Sequence, residues 1–367
     1  MKSYNFSLLN FFSIGLFIVY LLSDMYYEVG RLFDYIFIIV TISLVFFFKK
    51  IQFPYYFNII LVFIFFSPWI IAGFINGNWL LSLSISVGLL IVTPFTFEIL
   101  SKIKSIQIKK IIELIIIISV FCFFIQVLSF YILNYYLDFS SIFGSIKSRG
   151  YQGFGLFRPH GLFQEPNAYS TVMITMLYIY SKNKNTNSQL VFLSFISIVL
   201  SLSLWGIIIA PIIFLLRYSH LITIKSIIFF CFMIFFINLL IPNLFDLILE
   251  LEFLERFDLN STDSSRDARY GGLMELVNSN NFFLGNGVNS DQFQNYGANG
   301  ISFIIHSFGL IGIVLMFLIF FFQNFLKWSD IIFIILIFTT YPIISYMFFW
   351  VTLAILIYLN KILCVEF

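Results

Sequence analysis

Five ionisable side chains, Lys147, Arg149, Arg158, His160 and Glu165, fall within nineteen residues of a chain whose 367 positions hold only 20 Lys and Arg and 18 Asp and Glu. The segment that carries them reads GSIKSRGYQGFGLFRPHGLFQEPNAYS. Guanidinium forks grip phosphate or carboxylate oxygens two at a time, and an imidazole or a carboxylate beside them can take or give a proton. Gly150, Gly153, Gly155 and Gly161 permit close backbone approach and positive φ, while Pro159 and Pro166 stop helix formation. The segment is therefore expected to be irregular, rigid backbone that holds polar groups in place. The competing reading is positional, because long basic side chains often anchor apolar spans at lipid headgroups. Arg158 precedes the next apolar run by nine residues and stands among glycines, a setting that a simple anchor does not need.

A second group lies further along. Arg266 and Arg269 are three apart on an expected helix over 265–279, so their side chains leave from one face, which Tyr270 and Leu273 continue. Two adjacent guanidinium groups suit a di-anion such as a pyrophosphate; salt bridges to Asp263 and Asp267 are the alternative. His306 lies in an apolar run, where a lone histidine is more often a hydrogen-bonded packing residue than a catalyst. No carboxylates and histidines share a metal-ligand spacing, and no glycine-rich phosphate loop follows a strand.

The elements that must position these groups are apolar. The chain is 60% hydrophobic and 10% charged, with a mean hydropathy of +1.00. Soluble domains carry about 25% charged residues, so the composition predicts an all-α, polytopic membrane protein forming a single integral membrane domain over 1–367. The small net charge of +2, spread along the chain, gives nucleic-acid binding no support. Cys122, Cys231 and Cys364 are too far apart for a disulfide framework. The first apolar run lacks a small-residue cleavage site and is read as a retained span rather than a removed signal peptide.

Apolar runs near the ~20 residues a crossing requires occur at about 7–23, 32–48, 56–75, 79–100, 111–137, 167–181, 226–241 and 302–322. Two longer stretches, 190–216 and 330–360, are read as helical hairpins turning near Leu204-Trp205-Gly206 and near Pro342. With a cytoplasmic N-terminus this reading gives about 12 spans, against ten or eleven otherwise. It places thirteen of the twenty basic residues inside, including every lysine except Lys147, as the positive-inside rule favours. Two long extracytoplasmic loops result, 138–166 and 242–301. The later one opens with an expected surface helix, in which Leu244, Leu247, Leu251 and Leu254 share a face opposite Asp246 and Glu250. The run Asn260-Ser-Thr-Asp-Ser-Ser supplies capping groups for the helix that follows.

The run RPHGLFQEPN resembles the loop motif of O-antigen polymerases of the Wzy type, within the O-antigen ligase-polymerase superfamily. Arg158, Gly161, Phe163, Glu165, Pro166 and Asn167 occupy that pattern. The later loop is similar to the family as well: Arg266 or Arg269 near a helix start, then Leu284-Gly285-Asn286-Gly287, then Phe308-Gly309-Leu310-Ile311-Gly312. Ligases of the superfamily carry a His-Asn pair eleven residues before the glycine of the last motif. Here those positions are Ala298 and Asn299, a departure that favours polymerase over ligase.

The resemblance implies a GT-C-like membrane glycosyltransferase of the bacterial inner membrane, with its active site facing the periplasm and needing neither metal nor cofactor. Donor and acceptor would be oligosaccharide repeat units on undecaprenyl pyrophosphate, with a chain-length regulator as protein partner. Arg158, Glu165, His160 and Arg269 are the expected catalytic residues. Arg149, Arg266, Tyr270, Asn167, Asn299 and His306 are expected to bind substrate. Glu165 or His160 would serve as base, though Glu165 has two further readings, as a cap on the next helix or as a partner for Arg158. The rival from another class is a lipid-linked oligosaccharide flippase or other transporter, which would place ionisable groups within its spans and show repeated halves. Here the polar clusters lie in loops.

Overall fold

A computed structural model describes residues 14–16, 19–21, 36–43, 67–73, 75, 79–139, 157–163, 165–182, 186–218, 282–285, 305–314, 326–338 and 347–365. Among them the chain is helical, with no β-strand. In chain order the helices are α1 (Trp79–Val87), running through a π-helical turn (Gly88–Val92) into α2 (Thr93–Ser101), then α3 (Ser105–Tyr131), α4 (Pro166–Tyr180), α5 (Ser188–Leu200), α6 (Leu204–Tyr218), α7 (Ile305–Val314), α8 (Trp328–Phe338) and α9 (Met347–Val365). The surface helix expected at the start of the 242–301 loop, the helix over 265–279 and the span at 226–241 lie outside the described residues. The chain divides into two compact units, one of residues 1–23, 28–108 and 263–367, the other of 24–27 and 109–262.

In the first unit α9 packs on α2 and on the π-turn. Thr93 sends both its N–H and its hydroxyl to the Gly88 carbonyl, five residues back, which is the bond that defines the π-turn. Gly88 is required there, because a Cβ would collide with the Trp350 indole of α9. Further along the same two helices, the Tyr358 ring meets Phe97 at 6.2 Å and its hydroxyl donates to the Ile103 carbonyl at 2.8 Å. The 330–360 stretch is two helices, as a hairpin requires. Asp330, fully buried in the first turn of α8, accepts from Asn360 Nδ2 of α9 at 2.7 Å and from the Lys327 N–H at 3.1 Å. The expected turn near Pro342 lies outside the described residues.

The second unit holds α4, α5, α6 and the length of α3 beyond residue 108. Among the described residues α3 is the one helix long enough, at 27 residues, and apolar enough to cross a membrane. It runs about a turn and a half ahead of the expected 111–137. It ends where Asn134 takes positive φ (52°) and the Tyr135 N–H bonds back to the Ser129 carbonyl at 3.0 Å, a left-handed stop. One face exposes Leu114, Ile117, Phe121 and Leu128; the opposite face buries Ile112, Ile116, Ser119, Phe123 and Gln126. Apolar residues thus cover both faces, and beyond Glu113 the polar residues Ser119, Gln126 and Ser129 are buried.

The 190–216 stretch is a hairpin of α5 and α6, which pack on each other and on α4. Rings of Phe192 and Phe214 lie 5.3 Å apart, so the two helices run in opposite directions. The turn falls at Ser201-Leu202-Ser203, not at Leu204-Trp205-Gly206. Ser203 caps α6, its hydroxyl oxygen accepting the Gly206 N–H at 3.2 Å. Gly206 is a packing glycine inside the helix: a Cβ there would lie 2.6 Å from Ser170 Oγ of α4. Leu202, in the turn, takes positive φ (51°).

Candidate functional site

The segment from Phe157 to Asn167 is built onto α3 on one side and the α5–α6 turn on the other. Phe157 fixes its start. Its ring stacks on Phe130 at 4.7 Å, and the Tyr131 hydroxyl donates to the Phe157 carbonyl at 3.2 Å. The half-buried Arg158 follows, and its Nη2 donates to the Leu202 carbonyl at 2.9 Å.

His160 is fully buried, held by a single amide of α3. Gln126 Oε1 accepts from the His160 N–H at 3.0 Å and from the Gly161 N–H at 2.7 Å, while Gln126 Nε2 donates to the Leu137 carbonyl at 3.1 Å. The chain then turns tightly, the Phe163 N–H reaching the His160 carbonyl at 3.1 Å, with Gly161 at φ 60°. The imidazole closes the same turn. Its Nδ1 bonds the Phe163 carbonyl, which can only accept, so Nδ1 carries the proton and Nε2 keeps a lone pair. That Nε2 is buried and makes no hydrogen bond among the described residues. Burial pushes the imidazole below the usual histidine range and the Arg158 charge adds to this; the Phe163 carbonyl and Asp138 pull the other way without reversing it. The ring is accordingly neutral.

Glu165 occupies the N-cap position of α4 in extended backbone, ahead of Pro166 at the first helical position. Its carboxylate makes no capping bond to the helix, so its expected role as a side-chain cap is not realised. Asn167, in the first turn, accepts from the Ser203 hydroxyl at 2.5 Å. Arg158 and Asn167 therefore hold the same turn from two directions, and three of the expected site residues, Arg158, His160 and Asn167, are each fixed by a named contact.

The later motifs fall in the other unit. Gly285 and Gly309 both take positive φ (73° and 64°), and their backbones touch: a Cβ on Gly285 would lie 2.5 Å from the Gly309 nitrogen. The Leu310 and Ile311 N–H groups bond the Phe282 and Phe283 carbonyls at 3.0 and 3.1 Å, and Trp69 Nε1 donates to the Leu284 carbonyl at 2.6 Å. Two short motifs of the sequence are thus one paired backbone unit. His306 stands half-buried in the first turn of α7 beside it. Lys147, Arg149, Arg266, Arg269, Tyr270 and Asn299 lie outside the described residues.

Sequence reasoning missed Gln126, Leu202 and Ser203. Gln126 carried a signal, as the one amide inside the apolar run 111–133. Ser201 and Ser203, flanking Leu202, looked like any other serines of an apolar stretch. Comparison of the chain with protein-family models, with curated proteins and with solved structures gives no match.

Proposed function

We propose that the chain is a membrane glycosyltransferase that joins lipid-linked oligosaccharide repeat units into a surface polysaccharide, in the manner of the O-antigen polymerases it resembles. On this reading about 12 spans cross the bacterial inner membrane, with both termini inside and the loops 138–166 and 242–301 outside. The single observation that carries the proposal is the built loop from Phe157 to Asn167, in which a cation and a neutral, buried base sit two residues apart on fixed backbone.

The proposed chemistry is direct. A hydroxyl of the acceptor unit attacks the anomeric carbon of the donor glycan, whose bond to the pyrophosphate oxygen breaks. Undecaprenyl pyrophosphate leaves with the bonding pair, and the hydroxyl proton passes to His160 Nε2 or to the Glu165 carboxylate. The sugar is already activated, so the protein has to orient two substrates and meet departing negative charge, and no metal or cofactor is required. Arg158 and Arg269 meet that charge; Arg149, Arg266, Tyr270, Asn167, Asn299 and His306 bind the glycans, and a chain-length regulator sets the product length.

A strain lacking the protein tests this. Its glycan gel should show the final acceptor bearing single repeat units and no long ladder. Arg158→Ala should reproduce that pattern at normal protein level, since a charge-assisted contact is worth ~1.5–3 kcal/mol, and Arg158→Lys should restore only part of the ladder. Long chains stranded on the lipid carrier would make the protein a ligase, and loss of all surface glycan with unpolymerised units trapped inside would make it a flippase.

A further inference from the structure

Three helix ends of the second unit gather cations on two tyrosines. Arg217, at the end of α6, lies with its guanidinium carbon 4.7 Å from the centre of the Tyr178 ring and donates from Nη2 to the Tyr178 hydroxyl at 2.6 Å. The Lys182 ammonium, just past α4, is 5.4 Å from the same ring centre. Lys109, near the start of α3, places its ammonium 5.8 Å from the Tyr180 ring centre. The platform beneath them is fixed. The Tyr180 hydroxyl accepts the Asn187 N–H at 3.0 Å, and the Tyr218 hydroxyl donates to the Leu177 carbonyl at 2.5 Å.

Two cations that share one ring lie within about a Debye length of each other, ~10 Å at 0.1 M salt, and repel. Glu113 lies against Tyr180 on the same platform. Arg217 spends one of its five N–H donors on Tyr178. Immediately beside the cations the helices turn apolar side chains outward, with Leu215 and Leu216 58% and 67% exposed on α6 and Leu114 53% exposed on α3. A small soluble anion has no use for that apolar border. A molecule with a phosphodiester at one end and acyl chains at the other matches both parts.

We propose that this cluster binds the phosphodiester of an anionic phospholipid, its acyl chains lying along the exposed apolar faces of α3 and α6. The proposal rests on the reading that the chain lives in a bilayer, and the test separates the two. The purified full-length protein is reconstituted into phosphatidylcholine nanodiscs containing a few per cent phosphatidylglycerol, and the lipids it retains are counted by native mass spectrometry. Wild type should keep phosphatidylglycerol in preference to phosphatidylcholine. Lys109→Gln with Lys182→Gln, both at half-buried positions and checked for helix content by circular dichroism, should lose that preference by roughly fivefold per cation. Lys49→Gln with Lys50→Gln, a control that removes the same charge elsewhere, should keep it. Equal retention by wild type and the Lys109/Lys182 variant would overturn the lipid site while leaving the membrane reading intact, as would displacement by millimolar inorganic phosphate. A chain that enters no nanodisc would overturn both.

Discussion

Arg158 and His160 are two residues apart and treated differently by their surroundings. Arg158 remains half-buried and spends a donor on a carbonyl, which sets the direction of its fork. His160 is closed in on a turn that fixes its tautomer and leaves Nε2 as an acceptor. A histidine held below its ordinary value of 6.5 binds fewer protons folded than unfolded. The loop should therefore have its full stability above about pH 6.5 and lose it progressively as the pH falls below that value towards the depressed one. Nitrogen NMR of histidine-labelled protein, with peaks assigned by His220 and His306 substitutions, should give a neutral, Nδ1-protonated ring for His160 at pH 6.5. A doubly protonated ring at that pH would contradict both the tautomer and the proposed role as a proton acceptor. At this scale the sequence was informative about which residues would be placed, because charge is rare here and glycine and proline surround it. It was silent about what would place them: Gln126 differs from its helix neighbours only in chemistry, and its three bonds to backbone depend on where the loop returns.

Among the elements, the hairpin of α5 and α6 carries most of the positioning. Its turn receives Arg158 and Asn167, and its second helix lies against α4 through Gly206. Gly206→Ala would bring a methyl group to 2.6 Å from Ser170 Oγ and 3.1 Å from Ile198 Cγ2. Overpacking of this kind costs ~1–3 kcal/mol, so the melting temperature in detergent should fall, and Ser170→Gly in the same chain should recover part of the loss. An unchanged melting temperature would mean that α4 and α6 are not in contact at that point. The hairpin itself was legible in the length of the apolar stretch and in the balance of basic residues. Its turn was misplaced by three residues, because a Trp-Gly pair after leucines reads as a break, whereas here the serines satisfy the turn backbone and the glycine serves packing. The start of α3 was displaced for a related reason. Lys109 and Lys110 read as a boundary between helix and loop, but long basic side chains tolerate a helix interior and Lys109 lays its ammonium over an aromatic ring.

For the molecule as a whole, the apolar composition, the helical fold and the exposed apolar face of α3 support a bilayer as the solvent. The two backbone-paired glycines of the later motifs mark a second place where sequence and structure agree that a side chain has no room. The function proposed for the molecule is one reaction, and reconstitution tests it most directly. Purified protein in liposomes, supplied with undecaprenyl-pyrophosphate-linked repeat units and a metal chelator, should convert them into a ladder of lengthening glycans and release undecaprenyl pyrophosphate one for each unit added, with Arg158→Ala yielding neither. Repeat units that cross the liposome bilayer intact, with no ladder and no released carrier, would contradict the account.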